Sequence, residues 1–252
     1  VFGYFSTLGI QGPAASPGSY LGADSAACEA KHMAAYGNAG KDGAASEVSE
    51  ATFFNRYWQP WVLFANAGGR GVMPSHQLTS AFMLPSHANK FMLTGLWRGV
   101  LGMNETFISS DCGDIGQISS AFGLATDEAG AAAVALNAGV DQDLCVSSYQ
   151  DGLPDTLAKG LISNRTLDRA VANVLREKFA AGLFEGKWKV SDPAALPAKL
   201  DKYRSLALEV ARQGITMLVN RNRTLPLAGG FADIRIVIQR ARNRTFGNTK
   251  LF

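Results

Sequence analysis

From Cys28 onward the chain alternates short β-prone runs with longer amphipathic stretches, which commits it to βα units around a parallel sheet. The runs span residues 29–34, 71–74, 106–110 and 139–144, and a helix-like stretch follows each. Before them, residues 1–27 are rich in glycine, alanine, proline and serine and read as a frayed helix followed by a loop. A parallel sheet covered by helices needs a large apolar share. With 47% apolar and 18% charged residues, the chain has enough for a real core and is too apolar for disorder.

Local signals place the helices. Asn89 precedes the stretch 90–98 and has a side chain that accepts the first free helix amides. Ser163 or Asn164 caps residues 166–180, where Leu167, Val171, Val174, Leu175 and Phe179 recur at helical spacing and form an expected core face. Gly182 supplies a left-handed terminator. Two prolines and a polar run then interrupt the periodicity between residues 188 and 197, the mark of a linker. Beyond it, residues 206–218 read as a helix and residues 233–238 as a strand.

The second run ends in chemistry-bearing residues, and so does the third. Thr106-Phe107-Ile108-Ser109-Ser110 delivers Asp111 to a strand end and breaks at Gly113. A carboxylate where a buried strand stops is where a barrel enzyme keeps its reactive groups. As bare chemistry, the same aspartate caps a helix or pairs with an arginine just as well.

Three segments together lift that ambiguity: Ala30-Lys31-His32-Met33-Ala34-Ala35-Tyr36-Gly37, Ser110-Asp111-Cys112-Gly113 and Ala138-Gly139-Val140-Asp141-Gln142-Asp143-Leu144. They resemble the catalytic barrel of glycoside hydrolase family three, the β-glucosidase and β-xylosidase family. The resemblance implies an α/β fold: a partial (β/α)8 TIM-type barrel over 1–187, a linker over 188–205, and over 206–252 the start of a second α/β sandwich domain, truncated. Leu225-Pro226-Leu227 matches the entrance to that domain. It also implies a retaining exo-β-glycosidase, most simply a β-glucosidase, with Asp111 as nucleophile. Lys31 and His32 would then contact sugar hydroxyls, and Met73 and His76 would line the sugar pocket.

The departures carry information as well. Cys112 stands where the family has an aromatic residue, which removes one wall of the sugar pocket. His76 and Gln77 replace a tyrosine and an asparagine, and Phe54 and Asn55 replace an arginine–glutamate pair. Ala34-Ala35-Tyr36-Gly37 lacks the acid-bearing loop of the N-acetylglucosaminidase branch. In the wider family the acid partner comes from the second domain, so missing barrel strands and an acid-bearing domain are expected from a complete polypeptide. Weak or absent activity is expected of this stretch alone. Glu47, Glu50, Glu105 and Glu128 have no family support as the acid and read as surface or helix carboxylates. Asp141 and Asp143 read as supports of the pocket floor or neighbouring loops. Asp114 reads as a cap or a support of the backbone around Asp111, and His87 as a turn residue.

Other classes find little here. The net charge of +3 is scattered, which leaves no nucleic-acid face and favours a small carbohydrate substrate. No phosphate loop or dinucleotide fingerprint occurs, so no cofactor is expected. The three histidines lack metal-ligand spacing, and no metal is expected. Cys28, Cys112 and Cys145 allow one disulfide at most. Sequons begin at Asn104, Asn164, Asn222 and Asn243, but such triplets arise as readily by chance and glycosylation needs a secretory route that the sequence does not show. A secreted or extracytoplasmic address is the expectation. No apolar run approaches a membrane span. A chain that starts at Val1 rather than Met reads as an internal piece. Two alternatives stand beside the glycosidase: a non-catalytic barrel remnant that binds sugar or is merely structural, and an aldolase-like barrel relying on Lys31 for Schiff-base chemistry.

Overall fold

A computed structural model describes residues 2–12, 19–22, 25–38, 45–145, 148–186, 192–223 and 225–226. The chain divides between Val190 and Ser191 into two units. The first is built on a parallel sheet of β1 (Glu29–Met33), β3 (Gly71–Pro74) and β6 (Phe107–Ile108), in the order β1-β3-β6. A second small sheet joins β2 (Ala45–Ser46), β4 (Leu78–Thr79) and β5 (Leu84–Pro85).

Helices connect the parallel strands in succession, as βα units require. Helix α1 (Phe2–Gln11) precedes β1, and the Gln11 amide ties its end to the segments that lead into β3 and β1: Nε2 donates to Gly68 O and Oε1 accepts from Cys28 N. Between β1 and β3 lie α2 (Glu50–Thr52), a π-helical turn Phe53–Tyr57, and α3 (Gln59–Asn66). A π-helical segment Phe91–Val100 links β5 to β6, and Asn89 Oδ1 accepts from Met92 N at 3.0 Å. Then come α4 (Asp114–Ser120), α5 (Glu128–Ala138), α6 (Ser148–Ala158) and α7 (Asn164–Ala180).

Strand alternation divides the sheet into two faces. Ala30, Val72 and Ile108 share a register and pack with the helices into the core, whereas Glu29, Lys31, Met73 and Ser109 occupy the alternate positions. On that second face Ser109 donates to the Glu29 carboxylate. Trp97 is fully buried, stacks on Phe64, and donates its indole N–H to Thr106 Oγ1 at 2.8 Å. Each such side chain stabilises the fold by about 1.5–3 kcal/mol. Helices α5 and α6 approach so closely that a Cβ on Gly152 would sit 2.7 Å from the Glu128 carbonyl oxygen, and only glycine fits there.

Several expectations change on contact with the fold. The strands at 29–34 and 106–110 shorten to β1 and β6, and the run 139–144 is reduced to a single parallel bridge between Ser109 and Gln142. Asp141 explains part of this: its carboxylate accepts from Ile108 N at 3.0 Å, so a side chain takes a bond that a ladder would otherwise provide.

The expected core face of α7 is the larger correction. Val171, Leu175 and Phe179 are 47%, 37% and 48% exposed, and Leu167 and Val174 are only half-buried. The buried stripe is instead Ala170, Asn173, Glu177 and Ala180. Asn173 donates to Asp141 at 3.2 Å, and Glu177 accepts from the buried Arg70 at 3.0 Å. Buried charge that needs partners sets the rotation of this helix, and the apolar stripe turns outward. The helix ends as expected: Ser163 Oγ accepts from Thr166 N, and Gly182 adopts a positive φ of 68°.

In the second unit, α8 (Leu196–Gly214) begins well before the expected helix 206–218. Pro197 sits in its first turn, where proline is favoured, so the residue that suggested a linker instead starts the helix. The 233–238 strand and Leu227 lie outside the described residues. Among the described residues no helix is long and apolar enough to cross a membrane.

Candidate active site

Asp111 leaves the end of β6, just before the left-handed Gly113 (φ 80°) that opens α4. The turn folds the Cys112 N–H back onto Asp111 Oδ1 at 2.7 Å. Oδ2 is left to two histidines from neighbouring strand ends: His32 Nε2 lies 3.2 Å away and His76 Nε2 lies 3.1 Å away. His32 belongs to β1 and His76 follows β3, so three consecutive parallel strands contribute one residue each. Side chains of all three residues are 15–20% exposed, open to a small solute without being fully solvated.

Electrostatics keep this carboxylate charged. Burial pushes its pKa up, but the Cys112 N–H, His76, Lys31 and the His32 hydrogen bond together hold it below the ordinary aspartate value. Burial and the neighbouring Lys31 push the His32 imidazole down, against the pull of Asp111. A charged carboxylate beside a largely neutral imidazole at neutral pH is the state a nucleophile and a hydrogen-bonding neighbour require.

Behind these groups lies a second carboxylate. Asp114, the first residue of α4, places Oδ1 3.0 Å and Oδ2 2.9 Å from His76 Nδ1, and Oδ2 3.4 Å from His87 Nδ1. His87 is buried in the turn before the π-helical segment, and its Nε2 lies 3.4 Å from the Asp111 backbone N–H. Asp111, His76, Asp114 and His87 thus close a ring of polar contacts. Asp114 acts through two imidazoles rather than on the backbone around Asp111, and His87 does more than position a turn. Nothing in the spacing of these residues announced the ring, because their elements meet only in the folded sheet.

Of the other expected site residues, Lys31 is exposed on β1 and contributes charge to Asp111 and His32. Met73 is buried on β3 in register with Lys31 and stands outside the main hydrophobic cluster, on the same face as Glu29 and Ser109. Tyr36 stacks on His32 with ring centroids 4.7 Å apart. Glu29 was missed from sequence; burial raises its pKa, opposed by Ser109 and Lys31. Asp143 accepts from Ser110 Oγ and Tyr149 N, tying the loop after Gln142 to the Asp111 strand end. Cys112 is bonded to Cys145, so a disulfide stands where the resemblance has an aromatic wall, and Cys28 is free. Glu50 and Glu128 lie in the first turns of α2 and α5, and Glu105 lies 3.8 Å from Arg176.

Comparison with known proteins agrees with this architecture. Residues 14–177 match the glycosyl hydrolase family 3 N terminal domain. The chain is 33% identical to a β-xylosidase of Formosa agariphila over 208 residues, covering 79% of this chain and 28% of that one. It is 34% identical to a periplasmic β-glucosidase of Salmonella typhimurium over 204 residues, covering 78% and 26%. Among solved structures, a β-glucosidase from Listeria innocua in complex with isofagomine superposes with a TM-score of 0.80 at 26% identity, covering 90% of this chain and 31% of that one. The chain therefore spans under a third of the length of each of these relatives. With its parallel strand order, its strand-end site and a matched segment covering well over half its length, the chain belongs to glycosyl hydrolase family 3, and residues 14–177 correspond to that family's N-terminal, TIM-like barrel domain.

Proposed function

We propose that this chain carries the nucleophile side of a retaining exo-β-glycosidase that acts on terminal β-linked glucose. The observation that carries this reading is the Asp111 carboxylate: it sits at a strand end, is held ionised, and has one oxygen fixed by the Cys112 N–H and the other between His32 and His76. In the proposed reaction an Asp111 oxygen attacks the anomeric carbon as the bond to the leaving oxygen breaks. Water then displaces the carboxylate from the glycosyl-enzyme with net retention. His32, His76 and Lys31 supply hydrogen bonds to sugar hydroxyls, and Met73 offers an apolar surface beside them. The names of the relatives, a β-xylosidase and a β-glucosidase, support the substrate class.

Turnover also needs an acid roughly 5–5.5 Å from the nucleophile. The test therefore uses a leaving group that departs without one. The chain and its Asp111→Ala variant are incubated with 2-fluoro-β-glucosyl and 2-fluoro-β-xylosyl dinitrophenolates, and intact mass is read alongside circular dichroism. A one-sugar mass gain that depends on Asp111 is the expected result, larger with the glucoside. A folded chain that stays unlabelled by both reagents overturns the reading in favour of a non-catalytic barrel.

A further inference from the structure

We propose that His32 Nε2, His76 Nε2 and Asp111 Oδ2 together form a binding site for one divalent cation of the zinc class, which would cap the proposed nucleophile. The three ligand atoms lie within 4.8 Å of one another. Two of the separations, 3.2 Å and 3.1 Å, are close to the edge of a tetrahedron around zinc: bonds of about 2.0 Å place neighbouring ligands about 3.3 Å apart. Binding then requires the two imidazole nitrogens, both already beside Asp111 Oδ2, to close on the ion to the same spacing.

The chemistry of the donors selects the cation. Two imidazoles and one carboxylate suit zinc, cobalt or nickel, whereas magnesium and calcium require oxygen ligands. Three protein ligands leave a fourth position for water or a sugar hydroxyl. His76 also has the support that metal-bound histidines usually show, a carboxylate on the far ring nitrogen: with its proton on Nδ1, the ring donates to Asp114 and turns the Nε2 lone pair toward Asp111. Lys31 adds a nearby positive charge that opposes cation binding, so its removal should tighten the site.

The binding step stands apart from the glycosidase reading; only its effect on labelling rests on it. Zinc titration calorimetry and cobalt absorption spectroscopy on the 252-residue chain, in a Cys28→Ser background to remove the free thiol, provide the test. One equivalent of cobalt with a tetrahedral visible spectrum is expected, with affinity reduced more than about tenfold by either His76→Asn or His32→Asn, and about tenfold or more by Asp114→Asn. Absence of binding by the folded chain, or affinity unchanged in both histidine variants, overturns the proposal; should one variant misfold by circular dichroism, the other decides. Zinc is further expected to block mass labelling. Labelling without metal binding would sink the metal site alone, and metal binding without labelling in the metal-free chain would sink the glycosidase reading alone.

Discussion

Asp114 supports His76 from behind: its Oδ2 lies 2.9 Å from Nδ1, while Nε2 of the same ring lies 3.1 Å from the Asp111 carboxylate. Two aspartates thus share one imidazole, the outer one partly exposed and the inner one buried at the start of α4. Such an arrangement fixes ring orientation, and orientation is what a strand-end site must hold.

Loss of the inner carboxylate should therefore be felt at the outer one. Asp114→Asn keeps the volume but offers an amide where the two histidines face a carboxylate. Covalent labelling at Asp111 is expected to slow by about tenfold, within the hundredfold that a 1 Å misplacement can cost. Asp114→Ala is expected to lose about 1–3 kcal/mol of stability, because the buried His87 loses the carboxylate that faces its Nδ1. Mass labelling rates and urea unfolding measure the two effects separately.

His87 makes a prediction about pH. Burial, reinforced by the neighbouring His76, pushes its pKa down to about 3. In the unfolded chain the same group titrates near 6.5, so between about pH 6.5 and 3 the unfolded state binds more protons than the folded one. This contribution is complete above the unfolded value and is lost as pH falls toward the folded one, with a slope of up to about 1.4 kcal/mol per pH unit. Asp111, also held low, loses its contribution only below about pH 4, where ordinary carboxylates protonate. Urea unfolding of the parent and His87→Gln between about pH 7 and pH 4 should show a flatter pH dependence in the variant. Parallel curves would contradict the burial of a neutral histidine.

A third prediction concerns the buried pair of Arg98 and Asp141. Arg98 Nη2 lies 2.5 Å from Asp141 Oδ2, and the guanidinium also donates to the Thr106 and Gly139 carbonyls. Asp141 in turn accepts from Ile108 N and Asn173, joining β6, the Gln142 bridge and α7 through one carboxylate. Arg98→Ala should cost about 3–5 kcal/mol by leaving a buried charge without its main partner. The double variant Arg98→Met/Asp141→Leu should recover only part of this, since Ile108 N and Asn173 would still lack their acceptor. Urea unfolding of the parent, Arg98→Ala and the double variant gives both values.

Sequence alone determined what depends on near neighbours. The alternation of apolar runs and amphipathic stretches carries the βα order, Ser163 and Gly182 bound α7, and the β6 run followed by a breaking glycine places Asp111 at a strand end. These are properties of a few consecutive residues, and the chain needs no partner to express them. Only the tertiary structure decided the rest. His32, His76, His87 and the Asp111–Asp114 turn are four segments that meet because parallel strands bring their carboxyl ends to one side, so the distances between those segments along the chain carry no trace of the cluster. The pairing of Cys112 with Cys145 and the rotation of α7 belong to the same class. Periodicity reports where apolar side chains align on a helix, but Arg70 and Asp141 decide which stripe is buried, because a desolvated charge without a partner costs more than an exposed valine or phenylalanine.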